Sequence, residues 1–583
     1  MDKKEEENEK FIDFLGRESK DYPLSRDYSD LIDDLEQRMS ELKTERSPWL
    51  SVWSDLASYI SPPSGKYISN PTSVGKGQES NKKILSNMAL SALHTLQSGM
   101  LGGLSSPTKP WFQLSAPLDV ADDTKVKIWL SDCEDRMRAV MHKSNYYDAL
   151  AVCYHDLGLF GTHAMIMYED TETVIRCRSL PMGQYLLATD HRGEVTGLYR
   201  EYTLTLHQMV KQYGLENVSI NAQQAHKAKR GLETAYTIHQ AIQPNADFDP
   251  NARGINARQY IDVTWEVGGE RGKVLDYKGF RNKPFFCPRW FTLASNDYGE
   301  SCPAMEALGD IKQLQYHTQK KMQVTEKRLS PPIIAHQSLE DQPSAFSPNG
   351  IIFSPNINEI YAKPLYQVDG DISQLQMETQ ALEHRINTIF RRDLWMMLDS
   401  LEGVQPRSQM ELIERKGEKI LGLSPVIEKV QSEILNPSLD RLFSIMFLGG
   451  LFDDPPEALR SGIDLKVEYI SELAVAQNAK DTVPIEQFGQ WLGSIASVAP
   501  EVLDKFDVFE AADKYGKALG IDPKIIRSTD EAVAISENRN KQIQQQRAME
   551  QAMSMTQGAK TLSETNVGGG VNALNSMMGL GGA

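Results

Sequence analysis

Basic side chains at helical spacing are the clearest chemical signal in this chain. Residues 303–330 carry Lys312, Lys320, Lys321, Lys327 and Arg328 against Glu306, Asp310 and Glu326, a slight excess of positive charge. Such cations can meet phosphates, and mixed signs favour loose, sliding contact over a tight grip. They equally suit an ordinary solvent-facing helix. Residues 371–393 set Arg385, Arg391 and Arg392 against Asp371, Glu378, Glu383 and Asp393, a slight excess of negative charge. Catalytic spacings are missing. Gly75-Lys76-Gly77 is too short for a nucleotide-cradling loop, and neither H-E-x-x-H nor G-x-S-x-G occurs. His155 and His163 bracket Gly158 and Gly161 with no carboxylate at ligand spacing, so hydrogen-bonded structural histidines are expected. Asp33-Asp34 and Asp122-Asp123 read as solvated or helix-start residues, Gly99-x-x-x-Gly103 as close helix packing, and the Asn217-Val218-Ser219 sequon has no sign of secretion behind it.

Composition narrows the class. The 583 residues, 40% hydrophobic and 24% charged, suit a globular protein of several domains. The longest nearly unbroken apolar run, Phe443 to Phe452, is interrupted by Ser444 and two glycines. A membrane span needs about 20 apolar residues, so none is expected. MDKKEEENEK has no apolar stretch behind a basic start and is no secretory signal. Five cysteines with no C-x-x-C pair predict reduced, buried thiols and neither disulfides nor zinc. A net charge of −17 argues against tight nucleic-acid binding.

The elements that must carry these residues follow from periodicity. In residues 84–112, Leu85, Ala89, Leu93, Leu96 and Met100 make one helix face, which Gly102-Gly103 can close and Pro107 and Pro110 prevent from continuing. Leu31, Leu35, Met39 and Leu42 mark a first helix; Ser47-Pro48 predicts a fresh start, with Trp49, Val52, Trp53, Leu56 and Ile60 on its face until Pro62-Pro63. Helices are expected over Val126–Met141 and Asp148–Leu159. Strand-like runs at 164–168, 173–178, 185–188, 195–204, 259–267 and 284–292 give an α+β region. A long helix over 303–329 shows Leu308, Ile311, Leu314, Thr318, Met322, Thr325 and Leu329, and a second opens at the Asp371/Gln374 capping box. Between them lies a proline-rich insertion. Ser408 and Glu411 open a further helix toward Met446, with a possible break at Gly422; a short strand at 463–470 follows. Residues 484–556 are helical again, polar enough at their end to need identical neighbours. The Gly/Asn/Met-rich tail from 557 and the charged residues 1–30 should be flexible.

Taken in order, residues 46–67, 84–112, 144–165, 288–315 and 418–446 resemble the head-to-tail connecting (portal) proteins of short-tailed double-stranded DNA phages. The likeness covers roughly 31–545. Arg407-Ser408-Gln409-Met410-Glu411 departs from the Thr-Ala-Thr-Glu run of relatives but keeps the capping logic. The resemblance implies a predominantly helical α+β portal fold and no enzymatic activity or cofactor. Its parts would be a wing (31–302), stem helices (303–330 and 371–393), a clip (331–370), a tunnel loop (394–407), a long wing helix with return strand (408–480) and a crown (481–556). It also implies a ring, usually dodecameric, at one capsid vertex of the virion, made in the bacterial host cytoplasm. Partners would be the major capsid protein, scaffolding protein, terminase, tail adaptor or tail tube proteins, internal core proteins and double-stranded DNA passing through the channel, with no membrane. On this map Lys320, Lys321, Lys327, Arg328, Arg391 and Arg392 are DNA-channel candidates. Trp395, Met396, Met397, Leu401 and Gln405 belong to the tunnel loop, and Ile333, Ile334, Ile351, Ile352 and Phe353 to clip contacts. The other classes are a tail adaptor or scaffold component, and a DNA-packaging enzyme, which would need the nucleotide loop or metal cluster that the sequence lacks.

Overall fold

The computed structural model describes residues 26–73, 83–116, 123–252, 254–293, 296–329, 333–335, 362–364, 372–399, 422–459, 466–470, 488–495, 506–519 and 529–564. The chain forms two compact units. One comprises Met1–Gln113, Cys133–Asp454 and Ser471–Gln477; the other comprises Leu114–Asp132, Pro455–Ile470 and Asn478–Ala583.

The first helix, α1 (Ser29–Tyr59), is a single rod with Pro48 inside it. The expected start at Ser47-Pro48 is therefore corrected. Proline lacks an N–H and its ring crowds the carbonyl four residues back, at a cost of about 3 kcal/mol. Burial on both sides offsets that cost. Ile32, Leu35, Met39 and Leu42 precede the proline, and Trp53 and Leu56, both fully buried, follow it. Just before it, Arg46 is buried and its Nη1 donates to the carbonyls of Gly183 (2.9 Å) and Tyr185 (2.7 Å), tying the rod to the sheet below.

Helix α2 (Met88–Leu104) leads to strand β1 (Phe112–Ser115), α3 (Thr124–Lys143) and α4 (Tyr146–Phe160). Helices α2 and α4 meet closely because Gly158 leaves room: a Cβ there would lie 2.7 Å from Leu93 Cδ1 and 2.8 Å from Leu96 Cδ2. Gly161, at φ 75°, closes α4 in the left-handed conformation that glycine adopts without penalty.

Seven antiparallel strands and a short eighth follow: β2 (Ala164–Asp170), β3 (Val174–Leu180), β4 (Tyr185–Thr189), β5 (Val195–Thr205), β6 (Ala235–Pro244), β7 (Tyr260–Glu266), β8 (Asp276–Phe280) and β9 (Phe285–Phe286). They make a five-stranded sheet in the order β4-β5-β6-β7-β8 and a three-stranded sheet β3-β2-β9. One face of the larger sheet, with Tyr199, Ala241, Val263 and Trp265, packs on α1. The other face meets α5 (Leu206–Tyr213) and α6 (Ile220–Lys227) through Leu204, Met209, Val218 and Ile238. Strands β6 and β8 were not expected from sequence. Central strand β6 carries His239 and Gln240 among its apolar residues, which hides the two-residue alternation.

The chain then rises into α7 (Pro303–Leu329), passes strand β10 (Ile333–Ala335), and returns through β11 (Ala362–Pro364) and α8 (Ile372–Ile389). A turn at Phe390–Arg391 starts a short helix, α9 (Arg392–Asp399). Residues 394–399, expected in a loop, are thus helical, and 371–393 is not one uninterrupted helix. The expected opening of the next helix at Ser408 lies outside the described residues. Its later part is α10 (Ser424–Val430), a π-turn at Gln431–Leu435, and α11 (Asn436–Leu448). The wide turn has a local cause. Pro437 cannot donate to the carbonyl of Glu433 and would clash with it.

In the second unit, β12 (Lys466–Tyr469) precedes α12 (Val508–Leu519) and the 36-residue α13 (Thr529–Glu564). At 1.5 Å per residue α13 is roughly 54 Å long. Its apolar residues Val533, Ile535, Ile543, Met549, Met553 and Met555 are all exposed.

Candidate functional site

The α7–α8 hairpin holds most of the candidate residues. Arg385 grips Asp310 with two donors, Nη2 to Oδ1 at 2.9 Å and Nε to Oδ2 at 3.2 Å. Seven residues up α7, His317 lies 3.8 Å from Glu378, seven residues down α8. Equal steps in opposite directions define an antiparallel pair. The two short strands between these helices are antiparallel as well, Ile333 pairing Pro364, Ile334 pairing Lys363 and Ala335 pairing Ala362.

Burial along this hairpin is graded. Its base is packed: Ala304, Ala307, Ile311 and Leu314 on α7, and Leu382, Ile386 and Phe390 on the returning segment, are buried. Gln315 fastens the base to the segment entering α2. Its Oε1 accepts from the N–H groups of Leu85 (2.7 Å) and Ser86 (2.8 Å), and its Nε2 donates to Ser86 O at 2.8 Å. Beyond Gln315 no described residue of α7 is buried. Tyr316 is 57% exposed, Met322 58%, Leu329 79%, and Met377 on the return helix 62%. These large apolar groups include Met322 and Leu329, two of the residues whose spacing suggested a packed face.

The basic candidates separate into two levels. Lys320 and Lys327 are exposed and, seven residues apart, share one face of α7. Lys320 Nζ sits 5.3 Å above the Tyr316 ring and 3.4 Å from Gln323 Oε1. Lys321, half-buried, and Arg328, exposed, share a different face. Arg391 and Arg392 stand at the other end of the hairpin, about 30 Å away by helical rise. Arg391 has φ 55°, and Arg392 is half-buried, with Nη1 3.4 Å from Asn387 Oδ1. The structure therefore does not gather the six cations into one patch.

Among the loop candidates, Trp395 is buried and Met396 is 55% exposed. Met397 lies on α9, while Leu401 and Gln405 lie outside the described residues. Ile333 and Ile334 form β10; Ile351, Ile352 and Phe353 lie outside the described residues.

The histidines are joined by a residue that sequence spacing passed over. Asp156 Oδ2 bonds His163 Nδ1 at 2.9 Å and Asp156 Oδ1 bonds His155 Nδ1 at 3.1 Å. Burial opposes ionisation of Asp156, but the two imidazole hydrogen bonds outweigh it and hold the carboxyl below its ordinary range. Adjacency of Asp156 to His155 was the available signal; the approach of His163 needs the fold. No group of three or more metal-ligating side chains that could hold a metal ion occurs among the described residues, and the five cysteines are buried and form no disulfides.

The family model for the bacteriophage head to tail connecting protein matches residues 33–526. The chain is 36% identical over 531 residues to the portal protein of Salmonella phage epsilon15, covering 91% of this chain and 95% of that one. It is 35% identical over 533 residues to the probable portal protein of Bordetella phage BPP-1, covering 90% and 94%. The chain belongs to the bacteriophage head to tail connecting protein family. That family is structural, and two of its phage relatives are named as portal proteins.

Proposed function

We propose that the chain is the subunit of a portal ring, dodecameric by family expectation, at one vertex of the phage head. Double-stranded DNA passes through its centre during packaging and ejection, and the ring seats the terminase and then the tail. Residues 31–302 serve as wing, α7 and α8 as stem, 331–370 as clip, α9 with the residues after it to 407 as the tunnel segment, and 481–556 as crown.

The observation that carries this reading is the burial gradient of the hairpin. A rod that buries its base within its own unit but leaves Tyr316, Met322, Leu329 and Met377 open needs another surface beside it. Copies arranged around an axis supply that surface at every position. The exposed length of α13 asks for neighbours in the same way. Lys320 and Lys327 fit loose phosphate contact, since two cations on an otherwise acidic chain allow DNA to slide. Electron microscopy of the purified full chain is the direct test: rings with a central hole are expected, and compact monomers at high concentration would sink the proposal.

A further inference from the structure

We propose that the segment from Thr388 to Asp399 has two states: a broken one, in which Trp395 sits on Gly99, and a continuous one, in which α8 and α9 run on as a single helix. The sequence across the break, Ile389-Phe390-Arg391-Arg392-Asp393, contains no glycine and no proline. Nothing local demands that a helix stop there. It stops because Arg391 takes a left-handed conformation, φ 55°, which costs a residue with a Cβ what it does not cost glycine. The Arg391 N–H turns back to Thr388 O at 3.1 Å, and the Arg391 carbonyl accepts from Leu394 N–H at 3.0 Å to start α9.

What holds the break open is a contact made elsewhere. The Trp395 indole lies flat against Gly99 of α2, where a Cβ would be 2.5 Å from Cγ and Cε3, too close to be accommodated. Trp395 and Leu394 are buried by this docking. The fit is incomplete, because Trp395 Nε1 and Arg392 Nε are buried with no hydrogen-bond partner among the described residues. Apolar burial thus favours the broken state, while backbone strain and two unpaired donors favour the continuous one. Opposed terms of this kind make an element with two accessible arrangements. The Gly99–Trp395 contact is the latch between them, and it couples the stem helix to α2.

The test uses the full chain with Ala381→Cys and Met396→Cys spin-labelled and co-assembled with excess unlabelled chain, read by electron-electron distance measurement. A continuous helix sets those positions about 22 Å apart by helical rise. Gly99→Ala, which fills the seat, is expected to move the population toward that spacing, and Trp395→Ala to do the same if Gly99→Ala folds poorly. Arg391→Gly is expected to act oppositely, favouring the broken state by about tenfold, because glycine relieves the turn and weakens the helix. Unchanged distances in both seat variants, or Arg391→Gly shifting in their direction, overturn the proposal.

Discussion

Arg289 and Glu433, 144 residues apart in sequence, form a near-complete fork within the first unit. Arg289 Nη2 and Nε donate to Glu433 Oε1 at 2.6 and 3.1 Å, and the Arg289 backbone N–H donates to Oε2 at 2.7 Å. Glu433 stands in the π-turn that Pro437 forces on the helix, and Lys429 Nζ donates to its Oε1 at 3.2 Å. A second pair lies along the same helical arm: Arg441 Nη2 meets Glu169 at 2.9 Å, and its Nε donates to Met167 O at 3.0 Å. Between them Tyr146 and Ser438 hydroxyls meet at 2.7 Å. The arm is fastened to α4, to β2 and to the segment carrying Arg289 by polar clasps.

Breaking the first clasp should cost more than removing it whole. Arg289 is 5% exposed at its side chain and Glu433 18%. Glu433→Leu leaves a buried guanidinium uncompensated, an expected loss of about 3–5 kcal/mol, whereas adding Arg289→Met should recover most of it. Denaturant titration of both single variants and the double variant measures the coupling. A loss in the double variant equal to the sum of the two single losses would show the clasp to be inert.

Such clasps explain what could be read from the sequence and what could not. The periodic faces of α1, α2 and the base of α7 were legible because their apolar residues recur at three and four, and Pro62 marked a true end. Pro48 misled because tertiary burial of Trp53 and Leu56 overrides a local breaker. The reverse error occurred at Arg391, where a break has no local signal and depends on Gly99, nearly three hundred residues earlier. Pairings such as Arg385 with Asp310 and Gln315 with Ser86 use residue types common on any helix surface. The cation candidates were legible as a list, but their division into two levels required the antiparallel register.

Asp262 predicts an inverted pH response. It is buried, and both its oxygens accept from Gln240 Nε2 at 3.0 Å. Burial, with Asp276 adding to it, pushes its carboxyl up to about 7 against the pull of Gln240, Lys278 and Arg200. Between its ordinary 3.8 and about 7 the folded chain keeps a proton that the unfolded chain has released. Folded stability from this site therefore falls as pH rises through that window and stays low above it. Asp262→Asn should raise the melting temperature at pH 8, by a term on the order of 4 kcal/mol, and change it little at pH 4. A larger gain at pH 4 than at pH 8 would reverse the assignment.

The stem's open face gives a different kind of expectation. Tyr316, Met322 and Met377 are 57%, 58% and 62% exposed, so replacing them with serine removes little burial within one subunit. Tyr316→Ser, Met322→Ser and Met377→Ser should each change the stability of the isolated subunit by no more than about 0.5 kcal/mol, the range of ordinary surface changes. Ring formation, followed by analytical ultracentrifugation across concentration, should weaken by at least tenfold, since each buried side chain is worth about 1.5–3 kcal/mol when covered. Rings of undiminished stability would mean that this face meets something other than a sister subunit.

Charge reversal separates the phosphate-contact proposal from ring assembly. Lys320 and Lys327 are exposed on one face, while half-buried Lys321 lies on another face with Arg328. If the first face looks onto DNA, Lys320→Glu with Lys327→Glu should alter packaged DNA length or its retention, and the effect should shrink as salt rises, because phosphate contacts are lost through counterion exchange. Lys321→Glu with Arg328→Glu should have the smaller effect, and both pairs should still give rings. The measurements are genome length in assembled heads and retention after a salt challenge. Should reversal of all four positions leave both unchanged while rings form normally, the cations are ordinary helix charges and DNA passes without touching them.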